Sequence, residues 1–299
     1  MYKKTGVAAL VAAVSITTLA GCTASTTTGS TGSGGSTSTG NTSTGALTPA
    51  NALLAAMSKA SGDNSVTITG TVTGGSSGTS TKLSGVEEFQ PLKSDITMNI
   101  TGGSTGAMTI AAIYDGTNYY MQDAQLSALE GGKPWLELNT SSLGSGLGAS
   151  LGTMLNSAKT ESPSEELGPL LASGDLTDVG TGTVNGVQAT HYSGTMTASQ
   201  AADLASVNGL DSSDVQEIKS LFQTGGVQSE KMDVWVNSSN LPVQVTVATT
   251  STALGTVTSV TNFTNWGAPV TITDPPADQV GTFSIPNIPT SIPTSLPTS

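Results

Sequence analysis

The chain has 299 residues, 36 of them glycine, with 10% charged and 4% aromatic residues, the palette of a turn-rich, β-rich extracellular protein. All nine basic residues are lysine, set against 21 acidic ones for a formal net charge of −12. That balance excludes nucleic acid as a partner, charge-driven attachment to an anionic bilayer, and any bidentate arginine clamp on phosphate. Cys22 and His191 are the only residues of their kind. They are too few for a disulfide framework or a zinc site, so neither a metal nor a cofactor is expected.

At the N-terminus, Lys3 and Lys4 precede a mostly apolar run from Gly6 to Thr18, followed by Leu19-Ala20-Gly21-Cys22. The run is shorter than the roughly 20 apolar residues of a spanning helix and fits a secretory signal. The small residues before Cys22 match a bacterial lipobox. Residues 1–21 therefore read as a lipoprotein signal peptide, and Cys22 as the residue that carries the lipid. Thr23 to Gly45 holds nine Thr, six Ser and six Gly. Such a stretch has nothing to bury, so residues 22–45 are expected to be a disordered tether. Its reach as a flexible coil is on the order of 25–30 Å. The expected location is the extracytoplasmic face of the cell membrane, held there by the lipid anchor.

Residues 46–276 carry the folding signals. Thr48-Pro49 opens a helix with Leu53, Leu54 and Met57 on one stripe, which Gly62 stops. Ser65 to Thr73, Asp95 to Thr101, Met108 to Tyr114 and Tyr119 to Gln122 then alternate apolar residues with Thr or other polar ones, with a hairpin signal at Asp115-Gly116. Leu143, Leu147, Leu151, Met154 and Leu155 follow at helical spacing, interrupted by four glycines. Those glycines weaken the helix, which suits either a mobile cover over an apolar site or a poorly regular core helix. Ser164 to Ala172 is a second helix, with Leu167, Leu170 and Leu171 apolar.

Asn185-Gly186 turns the chain into a strand from Thr190 to Thr197, and helical stretches cover Ala198 to Ser206 and Ser212 to Phe222. Lys231 to Val236, Val243 to Thr250 and Thr256 to Trp266 are further strands, and Val270 to Thr273 is a candidate last one. Residues 277–299 form a Pro/Thr/Ser-rich tail. This order gives an α+β layout, a long antiparallel sheet with helices on one face. Alternation predicts that Val66, Ile68, Val72, Met98, Ile100, Met108 and Ile110 share the inward face with Tyr192, Met196, Val234, Val236, Val243 and Val245.

Catalytic signals are weak. Three G-x-S-x-G matches begin at Gly74, Gly102 and Gly148, in Gly/Ser-rich connections or inside the weak helix, not on the strand-to-helix elbow that a nucleophile requires. His191 reads as a surface or half-buried strand residue. Glu87-Glu88 and Glu165-Glu166 are adjacent pairs whose side chains diverge, so neither makes a facing carboxylate pair.

Several strand motifs resemble a known family. They are Tyr114-Asp115-Gly116 with Tyr119-Tyr120 and Trp135, then Val184-Asn185-Gly186-Val187 leading to Ser193-Gly194-Thr195-Met196-Thr197-Ala198. Val234-Trp235-Val236 with Leu241-Pro242, and Asn265-Trp266-Gly267 with Val270 to Pro276, complete the set. In this order, behind a lipobox, they resemble the mycobacterial LppX/LprAFG-type envelope lipoproteins and, more distantly, the LolA/LolB carriers.

The resemblance implies an incomplete β-barrel, a strongly curved antiparallel sheet with helices covering its concave face and enclosing an apolar cavity. Leu147, Leu151, Met154, Leu155, Leu170 and Leu171 would then line the cavity beside the inward strand residues. It implies a non-enzymatic, monomeric lipoprotein that binds the acyl chains of a lipid or glycolipid and carries it within the envelope, with an export partner there. A sensor or interaction module of the same fold is the alternative. The residues alone leave open whether the inward face encloses a cavity or closes into a solid core. Two departures from the family are the tail after Pro276 and the lack of arginine, which argues against an anionic headgroup.

Overall fold

The structure is a computed structural model that describes residues 48–76, 78–103, 106–124, 132–138, 163–207, 210, 212–224 and 226–282. Cys22, the signal and tether, the Leu143–Lys159 stretch with Leu147, Leu151, Met154 and Leu155, and the tail beyond 282 lie outside them.

Helix α1 (Pro49–Gly62) starts where Thr48 accepts a hydrogen bond from the Asn51 backbone N–H at 3.4 Å, with Pro49 in the first turn. It buries Ala52, Leu53, Ala56, Met57 and Ala60. Seven strands flank or follow it before the second half of the sheet: β1 (Ser65–Gly74), β2 (Thr79–Phe89), β3 (Leu92–Gly102), β4 (Met108–Tyr114), β5 (Tyr119–Gln122), β6 (Trp135–Leu138) and, after helix α2 (Pro163–Ala172), β7 (Thr177–Val184). Then come β8 (Val187–Thr197), helices α3 (Ala198–Asp203) and α4 (Ser212–Thr224), β9 (Val227–Asn237), β10 (Pro242–Ser251), β11 (Gly255–Thr264) and β12 (Val280–Thr282).

All twelve strands form one sheet in the order β12-β6-β5-β4-β3-β2-β1-β11-β10-β9-β8-β7. Neighbours pair antiparallel except β12 with β6, which is parallel. β12 and β7 stand at opposite ends of this order, so the curved sheet does not close. The fold is thus α+β with strands dominant. Pairing β1 with β11 brings together segments almost 200 residues apart, for example Thr67 with Thr264.

The alternation seen in the sequence has a clear physical result in β1. Val66, Ile68 and Val72 are buried and Thr69, Thr71 and Thr73 are exposed. At the β7–β8 hairpin, Asn185 and Gly186 both take positive φ, 51° and 81°, as the predicted tight turn requires.

Four elements differ from the sequence reading. β2 escapes the alternation signal because its inward row mixes Thr81, Gly85 and Glu87 with Leu83 and Phe89. β7 buries neither face, with Val179 58% exposed, and exists because it pairs with β8. Val270 to Thr273 is not a strand. Beyond it, Ala277–Gln279 forms a 3-10 turn and β12 lies along β6, so the folded unit runs past residue 276. Lys133 donates to the Asp278 carbonyl and helps hold that end in place.

Candidate functional site

The inner, helical face of the sheet has two ends of different character. At one end, Leu53, Ala56, Val66, Ile68 and Val234 have no solvent exposure, and α1 and α2 seat against them through Met57, Leu167 and Leu170. Trp266 closes this end. Its ring lies 5.7 Å from Phe263 and 6.4 Å from Phe89, and its indole N–H donates to the Pro242 carbonyl at 2.9 Å.

α2 reaches the sheet because β8 carries no side chain at Gly194. A Cβ there would lie 2.5 Å from Ser173 Oγ and 2.9 Å from Leu170 Cδ1. The Gln200 amide then donates to the Ser173 carbonyl at 2.7 Å, joining α3 to the end of α2. Gln200 also completes a capping box with Thr197 at the start of α3.

Toward the other end the inner face is only partly covered. Met98, Ile100 and Met108 on β3 and β4, and Val247 and Val257 on β10 and β11, remain half-buried. Thr81, Val72, Ser259, Val247 and Met232 share one row across this region. The next row is Gly74, Val257, Thr249, Glu230 and Met196. Met196 packs with Ala201, Ile218, Phe222 and Val227 beneath α3 and α4.

Glu230 is the exceptional member of that row. It is 7% exposed, and its Oε2 accepts from the Thr249 hydroxyl at 3.2 Å. Burial pushes its carboxyl above the ordinary glutamate value, and the Thr249 hydrogen bond opposes this only in part.

The predicted inward residues fall as follows. Val66, Ile68, Val72, Tyr192, Val234, Val236, Val245 and Leu170 are buried in the main cluster, with Met98 and Leu171 packed against it. Met196 belongs to the second cluster. Ile110 and Val243 are buried outside both, and Ile100 and Met108 are half-buried. Leu83, Met232, Phe263, Glu230 and Thr249 were missing from the reading. Glu230 had a signal: it stands two residues before Met232 in phase with Val234 and Val236.

The outer face holds the lone histidine. His191 stacks on Trp235, with ring centroids 4.4 Å apart, and its Nε2 lies 2.9 Å from Asp233 Oδ1. Lys231 donates to the other oxygen of Asp233 at 2.7 Å. Burial alone would raise the Asp233 carboxyl, but hydrogen bonds from Lys231, Ser193 and His191 and the Lys231 charge hold it below the usual value. Ser193 engages Asp233 and not the imidazole, so the trio lacks the nucleophile-to-base contact of an acyl-transfer triad. The G-x-S-x-G run at Gly74 begins where β1 ends, before its antiparallel partner β2; the serine of the run at Gly102 and the whole third run lie outside the described residues. Among the described residues, no group of three or more His, Cys, Asp or Glu could hold a metal. No helix there is long and apolar enough to cross a membrane.

An open curved sheet with helices sealing half of one apolar face defines the class: an α+β protein of the open, helix-covered sheet type. The chain belongs to the family of the uncharacterized 31.2 kDa protein of the rplA-rplJ intergenic region of Streptomyces griseus. The two are 32% identical over 210 residues, which is 67% of this chain and 68% of that protein. A Streptomyces coelicolor protein described as a lipoprotein is 25% identical over 203 residues, 64% of this chain and 60% of its own length.

Among solved structures, the Mycobacterium tuberculosis lipoprotein LppX aligns at 17% identity and TM-score 0.42, covering 75% of this chain and 99% of that one. LprF of Mycobacterium bovis aligns at 15% identity and TM-score 0.42, covering 76% and 96%. These neighbours are of the lipoprotein type that the strand motifs resemble; the family assignment rests on the Streptomyces griseus relative. No family model matches the chain.

Proposed function

We propose that the chain is a lipoprotein, anchored through Cys22 at the extracytoplasmic face of the cell membrane, that binds the acyl chains of a lipid along its inner face. In this reading it carries the lipid within the envelope and performs no chemistry. The observation that supports it is the half-open end of the inner face. There Met98, Ile100, Met108, Val247 and Val257 present apolar surface that α1 and α2 leave only half-buried. Acyl chains laid on such a surface are held by area burial, about 25 cal/mol per Å². The lipobox at Cys22 and the Streptomyces coelicolor relative described as a lipoprotein support the anchor.

The cargo is an uncharged or weakly charged lipid with two or three acyl chains. With seven lysines after residue 21 against 21 carboxylates, the protein offers little to repay the dehydration of a phosphate. Native mass spectrometry of the protein purified from its own host tests the reading. Co-purified neutral lipid is the expected result. A consistently empty protein favours an interaction module of the same fold, and a tight preference for cardiolipin-like anions overturns the cargo assignment.

A further inference from the structure

Glu230 sits on the wrong face for an acidic residue. Its neighbour Lys231 points to the outer face and pairs with Asp233 at 2.7 Å, while Glu230 turns inward between Met196 and Thr249. Among the described residues no cation forms an ion pair with it, so its burial is not repaid by charge. Burial without a cation favours the uncharged form of the carboxyl, because burial penalises the anion most. An uncharged carboxyl carries one O–H donor, and among the described residues the hydrogen bond of Glu230 is the one it accepts from Thr249 at 3.2 Å.

That leaves a donor beside a half-buried hydroxyl, in a row whose other side chains are Val257 and Met196. Apolar binding surfaces typically carry a few such polar groups, and these fix the orientation of the ligand.

We propose that Glu230 and Thr249 form the polar anchor of the inner face, taking the carbonyl or hydroxyl oxygen of an uncharged acyl ester such as a diacylglycerol. This rests on the lipid-binding reading above and adds the residues that orient the ligand and select its head. An ester carbonyl is an acceptor that loses little on leaving water and matches a lone O–H donor. A phosphate or carboxylate brings a charge with no cation to meet it. An alkane leaves the carboxyl unanswered. The acyl chains then run from the anchor over Val257 and Val247 toward Ile100 and Met108.

The test measures binding of three pyrene-labelled probes of equal chain length to the full chain: a diacylglycerol, an alkane and an alkylamine. Wild type is expected to bind the diacylglycerol most tightly. Glu230→Leu should weaken diacylglycerol binding by about tenfold, the worth of one buried hydrogen bond, and leave the alkane unaffected. Glu230→Gln has the same shape and keeps an N–H donor, so it should stay close to wild type, which also guards against a leucine variant that fails to fold. Thr249→Val should fall between the two. Unchanged diacylglycerol affinity in Glu230→Leu overturns the anchor. So does a preference for the alkylamine that Glu230→Gln abolishes, since that would make Glu230 an anionic site. If no probe binds wild type, the lipid-binding reading itself fails.

Discussion

The imidazole of His191 lies 4.4 Å from the indole of Trp235 and within 8° of parallel, on adjacent strands β8 and β9 of the outer face. Behind the indole, Gly182 of β7 comes so close that a Cβ would stand 2.9 Å from Trp235 Cζ3. The edge strand is thus laid down on an aromatic pair, with Asp233 bonded to both His191 and Lys231. Trp235→Ala should destabilise the chain by roughly 2 kcal/mol, less than a fully buried Trp because the ring is half-exposed. Hydrogen exchange should show β7 losing protection before the central strands.

Asp233→Asn checks the electrostatic part of the same cluster. The folded carboxyl is held below its usual value of 3.8, so its contribution is present above that pH and is lost as pH falls through the folded value. Urea unfolding at neutral pH should show a loss of about 0.5–1 kcal/mol, modest because the pair is partly solvated. The gap between variant and wild type should narrow below pH 3.8.

Glu230 has the opposite sign. Burial raises its folded value above the ordinary 4.5. The stability it contributes is complete below pH 4.5 and declines as pH rises through the folded value. Glu230→Gln should therefore match wild type in acid and exceed it at neutral pH, read as the difference in Tm across a pH series. A pH-independent difference would mean that the carboxyl titrates normally.

Gly194→Ala tests how α2 is seated. The residue has ordinary strand φ, so the strain is purely steric, from the contacts with Ser173 and Leu170. Overpacking of this kind costs about 1–3 kcal/mol. The change should loosen α2 and raise the exposure of Leu170 to solvent, followed by hydrogen exchange at residues 167–172, and should leave the β1–β11 pairing intact.

Cys22→Ala should move the protein from the membrane fraction to the soluble fraction, because the proposed anchor needs a cysteine and Cys22 is the only one in the sequence. A single acyl chain anchors only marginally, so durable attachment requires at least two. A variant still found wholly with membranes would defeat the lipobox reading.

Much of this protein is written locally. The cap at Thr48, the turn at Asn185-Gly186 and the alternation of Val66, Ile68 and Val72 with threonine each depend on residues a few positions apart. Those features specify which face is apolar in the strands that alternate cleanly, and from them the α+β class and most inward side chains follow. The lysine-only, acidic composition likewise sets which partners charge can attract.

Strand neighbours and depth of burial are decided by contacts across the chain. β2 and β7 lack a clean periodic signal and become strands because β1, β3 and β8 supply partners for their backbone groups. Whether the inward face is sealed depends on where α1 and α2 come to rest, which Gly194 permits through contacts with residues twenty or more positions away. Glu230 looks like an ordinary acidic residue beside Lys231. Only the pairing of β8, β9 and β10, with α3 and α4 packed nearby, removes it from water, sets it against the Thr249 hydroxyl and pushes its carboxyl above the ordinary glutamate value.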